Sequence, residues 1–237
     1  MRSFLGLLLP AVSLAGLTAA LAGAVAPASA RYTAVLAAMQ RQHSVHYVAT
    51  ESEGTTSVTY VGDVGRTEGI QRVVFTAGGR TGHVTEVVSN HRAWIRGDEF
   101  ALSEFLTFPD SIAARYAGRW IKVPSSDYAS VAEDVTLGSA VDTLKLHAPI
   151  AAVPATLVGG QAVIGVRGTS SHAGVSTVEI LYARATGLPL PVAEIATGTA
   201  ATDVTFSRWN EAVSVSVPAH ALTVTDRPLP SGPAVPA

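Results

Sequence analysis

Seven histidines, eighteen carboxylates and no cysteine bound the chemistry open to this chain of 237 residues. Without Cys there is no disulfide, no thiolate metal ligand and no thiol nucleophile. A zinc site would need three ligands gathered from distant His, Asp or Glu. His43 and His46 are three apart, but they straddle the end of a predicted helix. The histidines therefore read as surface imidazoles. A nucleophile elbow needs G-x-S-x-G. The nearest text, Gly168-Thr169-Ser170-Ser171-His172-Ala173-Gly174, has the wrong spacing and falls in a predicted hairpin loop. Ser170 and His172, two apart on a loop, rarely meet as nucleophile and base. Gly159, Gly160 and Gly165 match neither phosphate-loop spacing and precede a strand pattern, so they read as turn residues. Asp98-Glu99 and Glu133-Asp134 sit at predicted helix ends, where an acid complements the dipole. Arg96-Gly97-Asp98 spells an adhesion tripeptide, yet strand end, turn and helix cap account for each residue. The expectation is a non-enzymatic chain with no metal site and no cofactor.

What remains is apolar. Phe100, Leu102, Phe105, Leu106, Phe108, Ile112 and Tyr116 place seven large side chains within 17 positions. They either fill a core or line a pocket for an apolar ligand. The candidate lining is Leu102, Phe105, Leu106, Ile112 and Tyr116, with Val73 and Phe75 from a neighbouring strand pattern. These positions carry no charge, which suits an alkyl chain.

Periodicity gives the scaffold on which these side chains sit. Tyr32, Val35, Leu36 and Met39 share a helical face between Tyr32 and Gln42. Val45-Tyr47-Ala49, Val58-Tyr60, Val73-Phe75 and Val84-Glu86-Val88 then alternate at every second residue, with Glu53-Gly54 and Gly78-Gly79 as turns. Ala93-Trp94-Ile95 adds a short strand. Asp98 is the expected N-cap of a helical stretch that Pro109 stops. Ile112 and Tyr116, then Leu137, Val141 and Leu144, repeat the helical spacing around a short strand at 120–123. Pro149 and Pro154 read as breaks. Strands return at 161–169, 176–183 and 202–209, with a turn at Thr186-Gly187-Leu188-Pro189. Val213-Ser214-Val215-Ser216-Val217 reads as one more strand with a wet face. Helices over one face of a curved antiparallel sheet, an α+β fold, satisfy these patterns.

The first thirty residues read as an export signal. Arg2 precedes an apolar run from Phe4 to Val25, and Ala28-Ser29-Ala30 has the small-x-small form that signal peptidase accepts. The competing reading is a retained N-terminal membrane anchor, since 22 apolar residues can span a bilayer. Cleavage after Ala30 leaves 207 of the 237 residues and, with Arg2 gone, takes the net charge from −2 to −3. A net acidic chain argues against a nucleic-acid partner. Residues 31–225 read as a single domain and 226–237 as a disordered Pro-rich tail.

Several motifs, in order, resemble the LolA-like superfamily of bacterial lipoprotein and lipid carriers, and within it the branch of the mycobacterial LppX and LprG lipoproteins. Gly118-Arg119-Trp120-Ile121-Lys122-Val123 is similar to its Gly-x-Trp strand. Gly165-Val166-Arg167-Gly168-Thr169 and Val178-Glu179-Ile180-Leu181-Tyr182 resemble its paired central strands. Gly187-Leu188-Pro189-Leu190 resembles the turn after them, and Phe206-Ser207-Arg208-Trp209-Asn210-Glu211 the start of its final strand pair. The order covers roughly Arg31 to Val224. Ala212 stands where such proteins often have Pro, and the lipidated Cys of the lipoprotein branch is absent. The resemblance implies a strongly curved half-barrel sheet wrapped around helices, with an apolar cavity between them. It also implies a lipid or acyl-chain ligand and an envelope membrane or transport partner. The alternative is an envelope-associated interaction module with a filled core. N-terminal sequencing of the exported protein should read Arg-Tyr-Thr-Ala from Arg31, whereas an intact Met1 would establish the retained anchor.

Overall fold

The computed structural model describes residues 26–172, 175–197 and 201–223. The expected cleavage site lies at the start of α1 (Ala28–Gln40), while the apolar run through Val25 and the Pro-rich tail lie outside the described residues. Helix α1 buries Val35, Ala38 and Met39, one turn apart, so its anchors all follow Ala30. No helix among the described residues is long and apolar enough to cross a membrane.

Five strands then fold back on one another: β1 (Ser44–Glu53), β2 (Thr56–Gly65), β3 (Glu68–Ala77), β4 (Arg80–Ser89) and β5 (Arg92–Gly97). Gly54, Gly78 and Gly79 have positive φ in the tight turns that the alternation required. Asp98 caps the next turn, its Oδ1 accepting the Ala101 N–H at 2.8 Å and its Oδ2 the His83 N–H at 2.6 Å. That π-helical turn (Ala101–Phe105) leads to α2 (Asp110–Tyr116), β6 (Ile121–Lys122), α3 (Tyr128–Asp134) and α4 (Leu137–Thr143). The chain returns through β7 (His147–Val158), β8 (Gln161–His172), β9 (Val175–Arg184), β10 (Pro191–Thr197) and β11 (Ala201–Ser207), and β12 (Leu222–Thr223) comes last. All twelve strands share one sheet in the order β12-β6-β5-β4-β3-β2-β1-β11-β10-β9-β8-β7. Every pairing is antiparallel except β12 with β6. The two ends of the order do not meet, so the sheet is an open half-barrel, with helices against its inner face.

Three local expectations change. Pro149 and Pro154 lie within β7 rather than ending the chain's regular structure. β7 is an edge strand, where a residue without an N–H is tolerated. Its register with β8 shifts between His147 and Ala151 and between Val153 and Thr156, the stretches that hold the two prolines. Ser170 belongs to β8 and is 3% exposed, not a loop residue, while Ala173 and Gly174 lie outside the described residues. Gly165 is likewise inside β8, where a Cβ would come within 3.0 Å of both Val153 and the Tyr182 ring.

The stretch Val213–Val217 is not a strand of the sheet. By then β1 already has β2 on one side and β11 on the other, so no free edge is left for it there. Arg208 and Asn210 turn the chain at φ 48° and 65°. Asn210 ties it to the start of β1, donating its N–H to Ser44 O at 3.0 Å and accepting the His43 N–H at 2.7 Å. A Cβ on Gly65 would lie 3.6 Å from Val213 Cγ2, so the segment passes over the outer face as an extended strap. It reaches the far edge where the Leu222 N–H donates to Trp120 O at 2.8 Å. Val213 and Val215 are half-buried, Ser214 and Ser216 exposed, and Val217 is 49% exposed.

Two inner-face glycines let side chains and backbone approach the sheet. A Cβ on Gly69 would fall well inside 3.0 Å of Val135 O, so the α3–α4 connection lies directly on β3. A Cβ on Gly62 would collide in the same way with the Tyr47 ring, which lies across β2 and donates its hydroxyl to Gln71 Oε1. Gly69→Ala should therefore destabilise the protein by about 1–3 kcal/mol in thermal or urea unfolding. Gly138→Ala, in the exposed part of α4 with open space around it, should stabilise by up to about 1 kcal/mol.

Candidate functional site

Register places the inner-face side chains in rows across the strands. One row runs Glu194, Val204, Ala49, Tyr60, Val73 and Val84 from β10 to β4. Beside it, Phe75 stands opposite Val58. The π-helical turn covers the β2–β4 end of these rows. There Phe105 packs with Val58, Val73, Phe75, Val84 and Ala101 as a compact cluster. The Phe105 ring centroid is 5.4 Å from Phe75 and 6.5 Å from Tyr60, and Phe100 stacks on Phe75 at 5.7 Å. The Arg80 guanidinium caps Phe100 at 4.1 Å.

Of the seven apolar residues expected to line a cavity, the structure thus brings Val73, Phe75 and Phe105 together. Leu102 and Tyr116 are buried in the larger core cluster with Val35, Met39, Ile121 and Leu144. Ile112 packs against that larger cluster, and Leu106 touches both. The two clusters meet at Leu106. Val204 borders the larger one and Tyr60 the smaller one, both half-buried, and Ala49 stands opposite each of them on β1. Ala49 is thus a short side chain between two longer ones on the inner face.

The inner face also carries carboxyls. Glu179 and Glu194 lie on adjacent strands β9 and β10 and are 6% and 7% exposed. Ser170 donates its hydroxyl to Glu179 Oε1 and stands 2.9 Å from Thr177 Oγ1. Glu179 Oε2 meets no hydroxyl or N–H among the described residues. The Glu194 carboxyl acts on Glu179 across the β9–β10 pair. Burial first, then the charge of Glu179 and its hydrogen bond, push Glu194 up to about 9. Farther along, Gln71 Nε2 donates to Glu86 Oε2 at 2.9 Å, and Glu86 is 5% exposed. Glu86 was legible as an inner residue, since it alternates with Val84 and Val88. The same alternation with Leu181 and Ala183 marks Glu179, but acids in such runs read as solvent-facing until the register is known. Above this end of the sheet, Tyr32 donates to Leu144 O at 3.0 Å and accepts the Leu146 N–H at 2.6 Å, pinning α1 to the chain entering β7.

A polar cavity of about 210 Å³ lies outside the sheet, under the strap, lined by Ser44, His46, Asp63, Arg208, Glu211 and Ser214 among others. Its charges are mutually engaged: Asp63 Oδ1 is 2.8 Å from both Arg208 Nη2 and His46 Nδ1. Among the described residues no group of three or more His, Asp or Glu side chains could hold a metal.

Because Glu194 keeps its proton when folded and loses it near 4.5 when unfolded, folding binds that proton across the interval between them. Stability from this group is full below about 4.5 and declines as pH rises towards about 9. Glu194→Gln, which still donates to Glu179 and does not titrate, should flatten the fall in melting temperature between those limits.

No protein-family model matches the chain, and no curated protein matches it. Solved structures do. The chain superposes on LprF from Mycobacterium bovis at TM-score 0.54 and 14% identity, over 81% of this chain and 97% of LprF. It superposes on the lipoprotein LppX from Mycobacterium tuberculosis at TM-score 0.52 and 16% identity, over 80% of this chain and 98% of LppX. The chain has the fold of LprF and LppX, in agreement with the LolA-like, LppX-type resemblance that its motif order carries.

Proposed function

We propose that this chain is an extracytoplasmic, non-enzymatic carrier that holds an acyl chain or similar apolar ligand between sheet and helices. The observation that carries the reading is the division of the inner face into two apolar clusters with the small Ala49 between Val204 and Tyr60, and we infer a seam for the ligand over Ala49. One bank is Phe105, Leu106, Val73, Phe75 and Tyr60; the other is Val204 and the larger core, in which Leu102, Ile112 and Tyr116 hold the helices in place. The π-helical turn and α2 are short and are separated by Pro109, which supports a reading in which the Phe105 side yields to a ligand while the larger core stays packed. Each CH₂ buried there contributes about 0.8 kcal/mol. A chain of about ten carbons then gains about 8 kcal/mol before ordering costs, enough for useful affinity. The shared fold with LprF and LppX supports this reading, as does the expected signal peptide, whose cleavage would release the carrier outside the cytoplasm.

Wild-type protein should take up a fluorescent fatty-acyl probe. Ala49→Trp, which fills the space over this buried alanine, should weaken uptake at least tenfold and lower the melting temperature by several degrees without unfolding the protein. Phe105→Arg, which puts a charge in one bank, should abolish uptake. If wild-type protein neither binds such probes nor yields lipid on organic extraction from its own host, the filled core serves an envelope interaction module instead.

A further inference from the structure

The outer face of β3–β6, which the strap crosses between Gly65 and Trp120, presents exposed cations around that crossing. Register puts Arg72 opposite Thr85 and Thr85 opposite Arg96. The next row is Ile70, Val87, Trp94 and Lys122, and the row beyond is Glu68, Ser89 and Arg92. Arg72, Arg92, Arg96 and Lys122 are all exposed. Among the described residues none of the four makes an ion pair or a side-chain hydrogen bond. Glu68 is the one acid in these three rows, and Asp98, just beyond them, is occupied in capping. Strands are about 5 Å apart and residues about 3.4 Å along each, so the four cations fall within a patch about 15 Å across. The chain as a whole is net −2, so this concentration of positive charge is a local feature.

We propose that this face docks the protein on a membrane surface of anionic phospholipid headgroups. The cations spread over three strands and three rows instead of along one line, which fits a two-dimensional array of phosphates better than an extended acidic peptide. Trp94 and Val87, between the charged rows, are 4% and 1% exposed, so the contact is electrostatic and not an inserted apolar wedge. The patch is on the side of the sheet away from the helices, so docking leaves the seam over Ala49 uncovered and does not depend on the carrier reading.

Co-sedimentation of the full chain with vesicles tests the docking. Wild-type protein should bind vesicles of mixed phosphatidylglycerol and phosphatidylcholine and ignore phosphatidylcholine alone. Binding should vanish in about 1 M salt, where the Debye length falls to about 3 Å. Each Arg or Lys near an anionic surface strengthens partitioning by about fivefold. The quadruple variant Arg72→Gln, Arg92→Gln, Arg96→Gln, Lys122→Gln should therefore lose well over tenfold in binding while keeping wild-type melting and acyl-probe uptake. Arg72→Gln and Arg96→Gln singly should each lose severalfold, which preserves the test if the quadruple variant folds poorly. Removing Arg41, Arg115 and Arg167 instead should leave binding unchanged. Wild-type protein that ignores anionic vesicles, that binds them no better than the variants do, or that binds polyglutamate but no vesicle, overturns the proposal.

Discussion

The pairing of β1 with β11 is the contact on which the rest depends. It joins the first strand to the eleventh, with Tyr47 opposite Phe206 and Ala49 opposite Val204. Without it the chain is two separate meanders, β1–β5 and β7–β11, each with one apolar face open to water. Closing so long a loop costs entropy that only burial over the whole joined face repays. Once joined, the twelve strands share one concave surface, and the helices have a single place to pack. The proposed seam over Ala49 lies on this junction, where Val204 of β11 stands beside β1.

An apolar face that also carries Tyr47, Gln71, Glu86, Ser170, Glu179 and Glu194 has to satisfy them, because a buried polar group without a partner costs several kcal/mol. It does so in two sets. Tyr47, Gln71 and Glu86 form a chain of hydrogen bonds made possible by Gly62, over which the Tyr47 ring lies. Ser170, Glu179 and Glu194 form the other, in which Glu194 keeps its proton. Both sets tie neighbouring strands to one register, since a slip of one residue would turn every member to the outer face. They act as markers of alignment within a surface that is otherwise Val, Ala and Phe.

The outer face obeys a different logic. Among the described residues no helix covers it; the strap crosses it from Gly65 to Trp120, beside the group formed by His46, Asp63 and Arg208 and the exposed cations of β3–β6. Long edge strands invite pairing with other chains. Here β7 is blunted by two prolines and their register shifts, and the opposite edge ends in strands of two residues. The arrangement leaves the faces, not the edges, for interaction.

Much of the fold was readable in the sequence because it rests on short-range physics. Period-two alternation marked β1–β4, glycines with positive φ marked the hairpin turns, and Asp98 announced its cap, each within a few residues of chain. The apolar run from Phe100 to Tyr116 was legible for the same reason, but its division between two clusters was not. Tertiary structure decided what depends on distant partners. Pro149 and Pro154 are tolerated because β7 is an edge, which nothing near them states. Val213–Val217 has the alternation of a strand but finds no free neighbour on β1, so it lies on the outer face as a strap. Glu179 and Glu194 look like surface acids until pairing of β9 with β10 turns both inward, where desolvation and the Glu179 charge make Glu194 hold its proton. Local pattern determined which face each side chain takes along its own strand; only the pairing of strands decided what that face meets.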